Sequence, residues 1–361
     1  MKLAMVAVAV LAMAGCQTPA REAPRFEVDP SWPKIPNGWV LGQVSSAATD
    51  EQDHVWVLHR PRVVRAGLKT GPPVMEFDAA GNYIQGWGGP AKGYDWPETE
   101  HGIYVDYKGY VWICGSGDDD QVLKFTKAGK FVMQIGQRGR RKTNRETGSF
   151  WKPTEMAVYP KTNELFVADG YGNKRVIVFD ADTGAYKRMW GAFASVPEDG
   201  PAKPEATGIP AKEIDPKDPG PAQFDTVHDV KVSHDGLVYV SDRGGKRVQV
   251  FTIDGKFVAQ AFIDRWCEAP HCGNGQTVAS TAFSADAAQR YLYVASRSPA
   301  RIWVLDRRTL EPLDSFGRPG IAPGEFYVLH HLTSDSKGNL YASEVEDGRR
   351  IQKFSEISAA R

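Results

Sequence analysis

Apolar and polar residues alternate along this chain in one recurring phrase. VWVLHR (55–60), VWICGS (111–116), LFVADG (165–170), VYVSDR (238–243), LYVASR (292–297) and LYASEV (340–345) are six versions of one strand. A second apolar run follows each, namely VMEFD, VLKFT, VIVFD, VQVFT, IWVLD and IQKFS. After most of these comes a glycine turn and another strand, as in AGKFVMQIG (128–136) and DGKFVAQAF (254–262). The phrase itself is the second half of a hairpin: in HGIYVDYKGYVW (101–112) the alternation runs through a Lys108-Gly109 turn. Each copy therefore predicts about four strands, and four strands in a period of ~40–50 residues mark a propeller blade. The pattern predicts an all-β, six-bladed β-propeller over residues 26–361.

The sixth copy stops after IQKFSEI without its outer strand. GWVLG (38–42) resembles that strand, and it is expected to pair into the last blade and close the ring, removing two sheet edges. Residues 194–226 break the rhythm with Pro, Asp and Lys, and read as a long surface loop between blades three and four.

Charge narrows the function. Lys+Arg and Asp+Glu both number 44, so the formal net charge is zero and no basic excess points to nucleic acid. The first residues are different in kind. Lys2, the apolar run LAMVAVAVLAM and AGC have the layout of a signal peptide over residues 1–15. LAMAGC resembles a bacterial lipobox, in which Cys16 is lipidated, and residues 16–25 then read as a polar tether. The expectation is a periplasmic protein anchored by lipid to a bacterial membrane, or a secreted one if cleavage occurs without lipidation. Nothing after residue 15 is apolar for long enough to span a membrane. In an oxidising compartment Cys267 and Cys272, in WCEAPHC, are close enough to pair, with a metal role beside His271 as the alternative. Cys114 reads as a buried apolar residue.

Candidate chemistry comes from aligning the inner hairpins on their turn glycines. His101 precedes Gly109 by eight residues, His228 precedes Gly236 by eight, and His330 precedes Gly338 by eight. These are blades two, four and six, which lie about 120° apart around a six-bladed ring. Three imidazoles at the starts of innermost strands can converge at one mouth of the channel, and three histidines with an open fourth position suit a catalytic zinc ion. The plainer reading is three polar residues lining a wet channel. It suits any one of them better than it suits three in alternate blades. His54, His59, His234 and His271 are read as structural, and His331 stands next to a channel position. The second strand returns to the mouth, bringing Arg60, Tyr171 and Arg243 to the same face. Two arginines can hold a carboxylate through bidentate hydrogen bonds. A tyrosine beside a metal can serve as a base, because the cation favours its phenolate. The alternative is that the arginines pair with neighbours such as Asp242 and that Tyr171 packs on the rim.

From residue 26 onward the repeat resembles NHL-repeat propellers. FWKPTEMAVYPKTNELFVADGYGNKRVIVF (150–179) and VHDVKVSHDGLVYVSDRGGKRVQVF (227–251) are similar to the peptidyl-α-hydroxyglycine α-amidating lyase domain. The resemblance implies a zinc held by His101, His228 and His330, an active-site Tyr171, and Arg60 with Arg243. It implies cleavage of an N-acyl α-hydroxyglycine, from a peptide or small molecule carrying a carboxylate, to an amide and glyoxylate. The family's structural calcium would use backbone carbonyls at Val44 and Ile103, but its acidic ligand is replaced by His331. A histidine is a poor ligand for a hard cation, which speaks against the calcium. Val328 stands where the family has methionine, and its paired cysteines fall on Trp151 and Gly172. Two other readings stay open: a metal-dependent propeller hydrolase of esters or lactones, and a binding or scaffold propeller without chemistry, since fold does not fix function.

Overall fold

A computed structural model describes residues 23–140, 143–200, 215 and 217–357. Strands and turns dominate these residues, with two single-turn 3-10 helices at Pro61–Val63 and Ala192–Ala194. Six four-stranded antiparallel sheets form the ring. Blade one contains β2 (Gln43–Thr49), β3 (Val55–Arg60), β4 (Val74–Phe77) and β5 (Tyr83–Trp87). Blade two runs from β6 (Glu100–Val105) to β9 (Phe131–Gly136), and blade three from β10 (Pro153–Tyr159) to β13 (Tyr186–Trp190). Blade four runs from β14 (Val227–Val232) to β17 (Phe257–Phe262), and blade five from β18 (Val278–Phe283) to β21 (Pro312–Phe316). Blade six is β22 (Leu329–Ser334), β23 (Leu340–Glu344), β24 (Arg350–Ile357) and the N-terminal strand β1 (Arg25–Asp29).

The apolar half of each alternation is buried between blades, because both faces of every sheet meet a neighbour. Trp56, Leu58 and Val74 of blade one pack on Ile103, Val111 and Phe125 of blade two. Equivalent clusters fill the other five junctions around the ring. The inner hairpin turns are fixed by polar residues. Asp106 Oδ1 accepts the backbone N–H groups of Lys108 and Tyr110, and Trp112 Nε1 donates to its other oxygen at 2.8 Å. Asp335 does the same with Lys337, Asn339 and the Tyr341 hydroxyl. Such a turn carries φ = 78° at Gly109, a conformation glycine adopts without strain.

An N-terminal strand closes the last blade, but not the segment expected. β1 pairs with β24 from Arg25↔Ile357 to Asp29↔Lys353, so RFEVD supplies the outer strand. Phe26 lies 5.0 Å from Phe316 and 5.4 Å from Tyr293, sealing the edge. GWVLG could not do this, because Gly42 immediately precedes the inner strand of blade one. An outer strand sits three strand spacings, roughly 14 Å, from an inner one, and the chain needs residues 30–42 to cross inward. Trp39 instead packs on Tyr83 at 5.6 Å, and Val40 bridges to Thr70.

Cys267 and Cys272 form a disulfide, and Cys114 is a buried free thiol. No helix among the described residues is long and apolar enough to cross a membrane. The signal peptide, Cys16, most of the tether, and 201–214 and 216 of the long loop lie outside the described residues. The described ends of that loop carry no strand.

Candidate metal centre

The three histidines meet at one point because of a device repeated in every blade. In each inner hairpin the register slips by one residue, leaving an extra residue on the first strand. The extra residues are Ser45, His101, Thr154, His228, Ala279 and His330. A β-bulge re-aims its side chain and frees its backbone from the ladder. Both consequences are used here. His101 Nδ1 lies 2.7 Å from the Thr154 carbonyl, His228 Nδ1 2.6 Å from that of Ala279, and His330 Nδ1 2.7 Å from that of Ser45. A carbonyl can only accept, so each Nδ1 carries the proton and each Nε2 keeps its lone pair.

The ring centroids are 4.7–4.9 Å apart, and a ligand nitrogen from each ring lies within 4.8 Å of the other two. All three side chains are buried. Burial first, then the Arg60 charge, holds His101 well below the ordinary imidazole value, with Arg243 acting in the same direction. Burial and then Arg243 do the same to His228. For His330 burial leads, followed by His101, Arg60 and Arg243. Neutral imidazoles with outward-facing Nδ1–H groups and convergent lone pairs are the protonation state a metal requires, so this donor set fits a cation such as zinc.

Tyr171 reaches the same point. Its hydroxyl is 3.2 Å from His101 Nε2, 3.2 Å from His228 Nε2 and 3.0 Å from Arg243 Nη1. The Arg243 guanidinium also lies 5.0 Å from the centre of the tyrosine ring. Arg60 is held at the mouth by Nε donating to the Glu100 carbonyl at 2.8 Å and Nη1 to Gln43 at 2.6 Å. The two arginines form no ion pair with a carboxylate among the described residues; Asp242 instead pairs with Arg247 at 3.0 Å. Tyr171 is 38% exposed, so the site is open on its side.

The remaining histidines divide as their surroundings dictate. His59 is fully buried, with Nδ1 accepting from Gly42 N–H and Nε2 facing the Pro72 carbonyl. Burial pulls its pKa down to about 4. His54 pairs with Glu76 at 2.7 Å. His331 lies one residue deeper in the channel than the three-histidine layer. Its Nε2 is 3.0 Å from Glu155, while Lys231 Nζ is 3.0 Å from Asp229 and 3.1 Å from His331. Glu155, Asp229 and His331 could themselves hold an ion, but the Lys231 ammonium already pairs with the Asp229 carboxylate and His331 with Glu155.

Two residues of this region escaped the sequence reading. Lys231 gave no signal: Asp229 is two residues away on the same strand, but His331, its other partner, is 100 residues distant in sequence. Arg297 did: LYVASR ends in arginine as VWVLHR and VYVSDR do, and the alignment that picked out Arg60 and Arg243 picks it out as well.

No family model matches the chain. It is 26% identical over 347 residues to NHL repeat-containing protein 3 of Mus musculus, covering 92% of this chain and 85% of that protein. The peptidyl-glycine alpha-amidating monooxygenase of Mus musculus is 24% identical over 347 residues, covering 90% of this chain and 31% of that longer protein. A probable peptidyl-alpha-hydroxyglycine alpha-amidating lyase of Caenorhabditis elegans is 29% identical over 154 residues, covering 42% of this chain and 36% of that protein. The chain is thus a six-bladed propeller, similar along most of its length to an NHL repeat-containing protein and to a peptidyl-glycine alpha-amidating monooxygenase, and over a shorter stretch to a probable hydroxyglycine lyase.

Proposed function

We propose that this protein is a zinc-dependent lyase that cleaves an N-acyl α-hydroxyglycine-like substrate to an amide and glyoxylate. The observation that carries the reading is the Tyr171 hydroxyl within 3.2 Å of two of three convergent Nε2 atoms and 3.0 Å from an arginine. His101, His228 and His330 would hold the metal, which when bound supplies a Lewis acid that lowers the pKa of the substrate's α-hydroxyl. Tyr171 accepts the hydroxyl proton. The carbinol oxygen then forms the carbonyl of glyoxylate as the C–N bond breaks, and the departing amide nitrogen takes that pair of electrons and a proton returned by Tyr171. Arg243 polarises the tyrosine oxygen through its 3.0 Å hydrogen bond, and with Arg60 attracts the substrate carboxylate. The similarity to lyases and amidating enzymes supports the same reaction class.

The test is metal analysis of untagged protein together with glyoxylate release from an N-acyl α-hydroxyglycine. About one equivalent of zinc and release that both disappear in His228→Ala support the proposal. Full zinc and full activity in that variant sink it. We also place the protein outside the cytoplasm on a lipid at Cys16, a reading supported by LAMAGC and by the disulfide. Labelling with a radioactive fatty acid that persists in Cys16→Ser would refute the anchor.

A further inference from the structure

Arg297 follows β19 (Tyr291–Ser296) as Arg243 follows β15 (Leu237–Asp242), in adjacent blades. The two residues make the same backbone bond. Arg243 N–H donates to the Thr226 carbonyl at 2.8 Å and Arg297 N–H to the Thr277 carbonyl at 2.7 Å, while Thr277 N–H donates to the Arg243 carbonyl. Their side chains therefore start from equivalent places on the rim of the three-histidine site. They also share a deficiency: Nε of Arg243 and Nε of Arg297 are both buried without a hydrogen-bond partner. The Arg297 guanidinium makes no hydrogen bond or ion pair with any described residue, whereas Arg60 commits two nitrogens to Glu100 and Gln43.

Two guanidinium groups that repel each other, each with a buried Nε short of an acceptor, are unfavourable until an anion joins them. Arg297 lies in the field of Tyr171 and Arg243, and so of the same site; burial first and Arg243 next push its pKa down, with Tyr171 and the Glu346 carboxylate acting in the opposite direction without making an ion pair. A planar fork with free donors matches an oxyanion, and a carboxylate can be approached by two arginines at once.

We propose that Arg297 is a substrate-binding residue that clamps the substrate carboxylate together with Arg243, with Arg60 contributing from the opposite side of the mouth. The identity of the carboxylate as that of a hydroxyglycine rests on the lyase reading; the clamp itself does not. It restricts the substrate class to compounds with a free carboxylate beside the reacting carbon and excludes their amides and esters.

The experiment titrates glyoxylate, and its uncharged carboxamide analogue, into zinc-loaded untagged protein by calorimetry. The clamp predicts that Arg297→Gln weakens glyoxylate about 10- to 100-fold, the range for a charged hydrogen-bonding partner, without changing binding of the carboxamide. Arg297→Lys should recover only part of the loss, because an ammonium keeps the charge but not the fork. Unchanged glyoxylate affinity in Arg297→Gln, equal losses for both compounds, or no glyoxylate binding by the wild type each overturn the clamp. Arg297-dependent binding by a wild type that releases no glyoxylate from N-acyl α-hydroxyglycines would sink the lyase reading and leave the clamp standing.

Discussion

Replacing Tyr171 by phenylalanine deletes one oxygen atom and little else. The ring keeps its edge-on contacts with His101 and His228, at centroid distances of 5.2 and 5.6 Å, and the Arg243 guanidinium keeps its place 5.0 Å from the ring centre. What disappears is an acceptor for Arg243 Nη1 and a partner for two imidazoles. Because Tyr171 is 38% exposed, water can reach those groups, and the folding cost should stay near or below ~1 kcal/mol. The cost to chemistry is larger. Loss of a positioned general base typically lowers a rate by about 10²- to 10⁴-fold, roughly 3–5 kcal/mol of transition-state stabilisation. The two effects are separable by measuring glyoxylate release, zinc content and thermal unfolding on one preparation of Tyr171→Phe. A fall in kcat of at least 100-fold at unchanged zinc and nearly unchanged melting is the expected result. A kcat within threefold of wild type at full zinc would refute the role given to Tyr171, and a loss of zinc in step with activity would make the residue a support for the metal.

Metal-free protein should lose stability as the pH falls from about 6.5 toward 4. His59 is held neutral in the fold with its pKa pulled down to about 4, while the unfolded chain takes up a proton near 6.5, so the unfolded state binds more protons in that window. His59 alone contributes about 3 kcal/mol to the loss, the three channel histidines act in the same direction, and a denaturation midpoint flat from pH 7 to 4.5 contradicts the argument. Arg247→Met leaves the buried Asp242 carboxylate without its 3.0 Å partner and releases the carbonyls of Pro219, Pro221 and Gln223. Urea unfolding should show a loss of about 3–5 kcal/mol, and a loss below about 1 kcal/mol would mean the pair is hydrated. Zinc and glyoxylate should bind with positive coupling, each raising the affinity of the other by the same factor; zinc titrations at several glyoxylate concentrations that show independence or competition contradict this.

The ring and most of its site are legible in the sequence because both depend on repetition. Alternation gives the strands, turn glycines give the register, and three histidines at one offset from those glycines give the convergence. Three features are not legible, for different physical reasons. The closing strand RFEVD is short and half polar, and GWVLG has the better apolar content, so pattern favoured the wrong one. Only the radial distance the chain must travel decides between them. The bulges are hidden because an inserted residue has no characteristic side chain: Ser45, Thr154 and Ala279 occupy the same bulged position as the three histidines. Lys231 shows the remaining gap, since its partners Asp229 and His331 are brought together by ring closure.

The bulges also explain why the histidines occupy alternate blades. Each imidazole donates to the carbonyl freed by the bulge of the next blade, from blade two to three, four to five, and six to one. A histidine in every blade would crowd six rings into one layer, whereas three leave each freed carbonyl on the intervening blades with one donor. The last of the three bonds crosses the junction between the final and first blades, so the tautomer of His330 is set by the packing of blade six on blade one. Around this neutral layer the charges are unevenly placed. Beneath it, Lys231 and His331 face the carboxylates of Asp229 and Glu155. Above it, Arg60, Arg243 and Arg297 have no carboxylate in ion-pair contact among the described residues. Such a mouth draws in anions and resists cations. A divalent ion at the histidines would therefore be held against the field of three arginines until an anion arrives. On the proposed function the substrate carboxylate would supply the charge that the site lacks, which is why metal and substrate should reinforce one another.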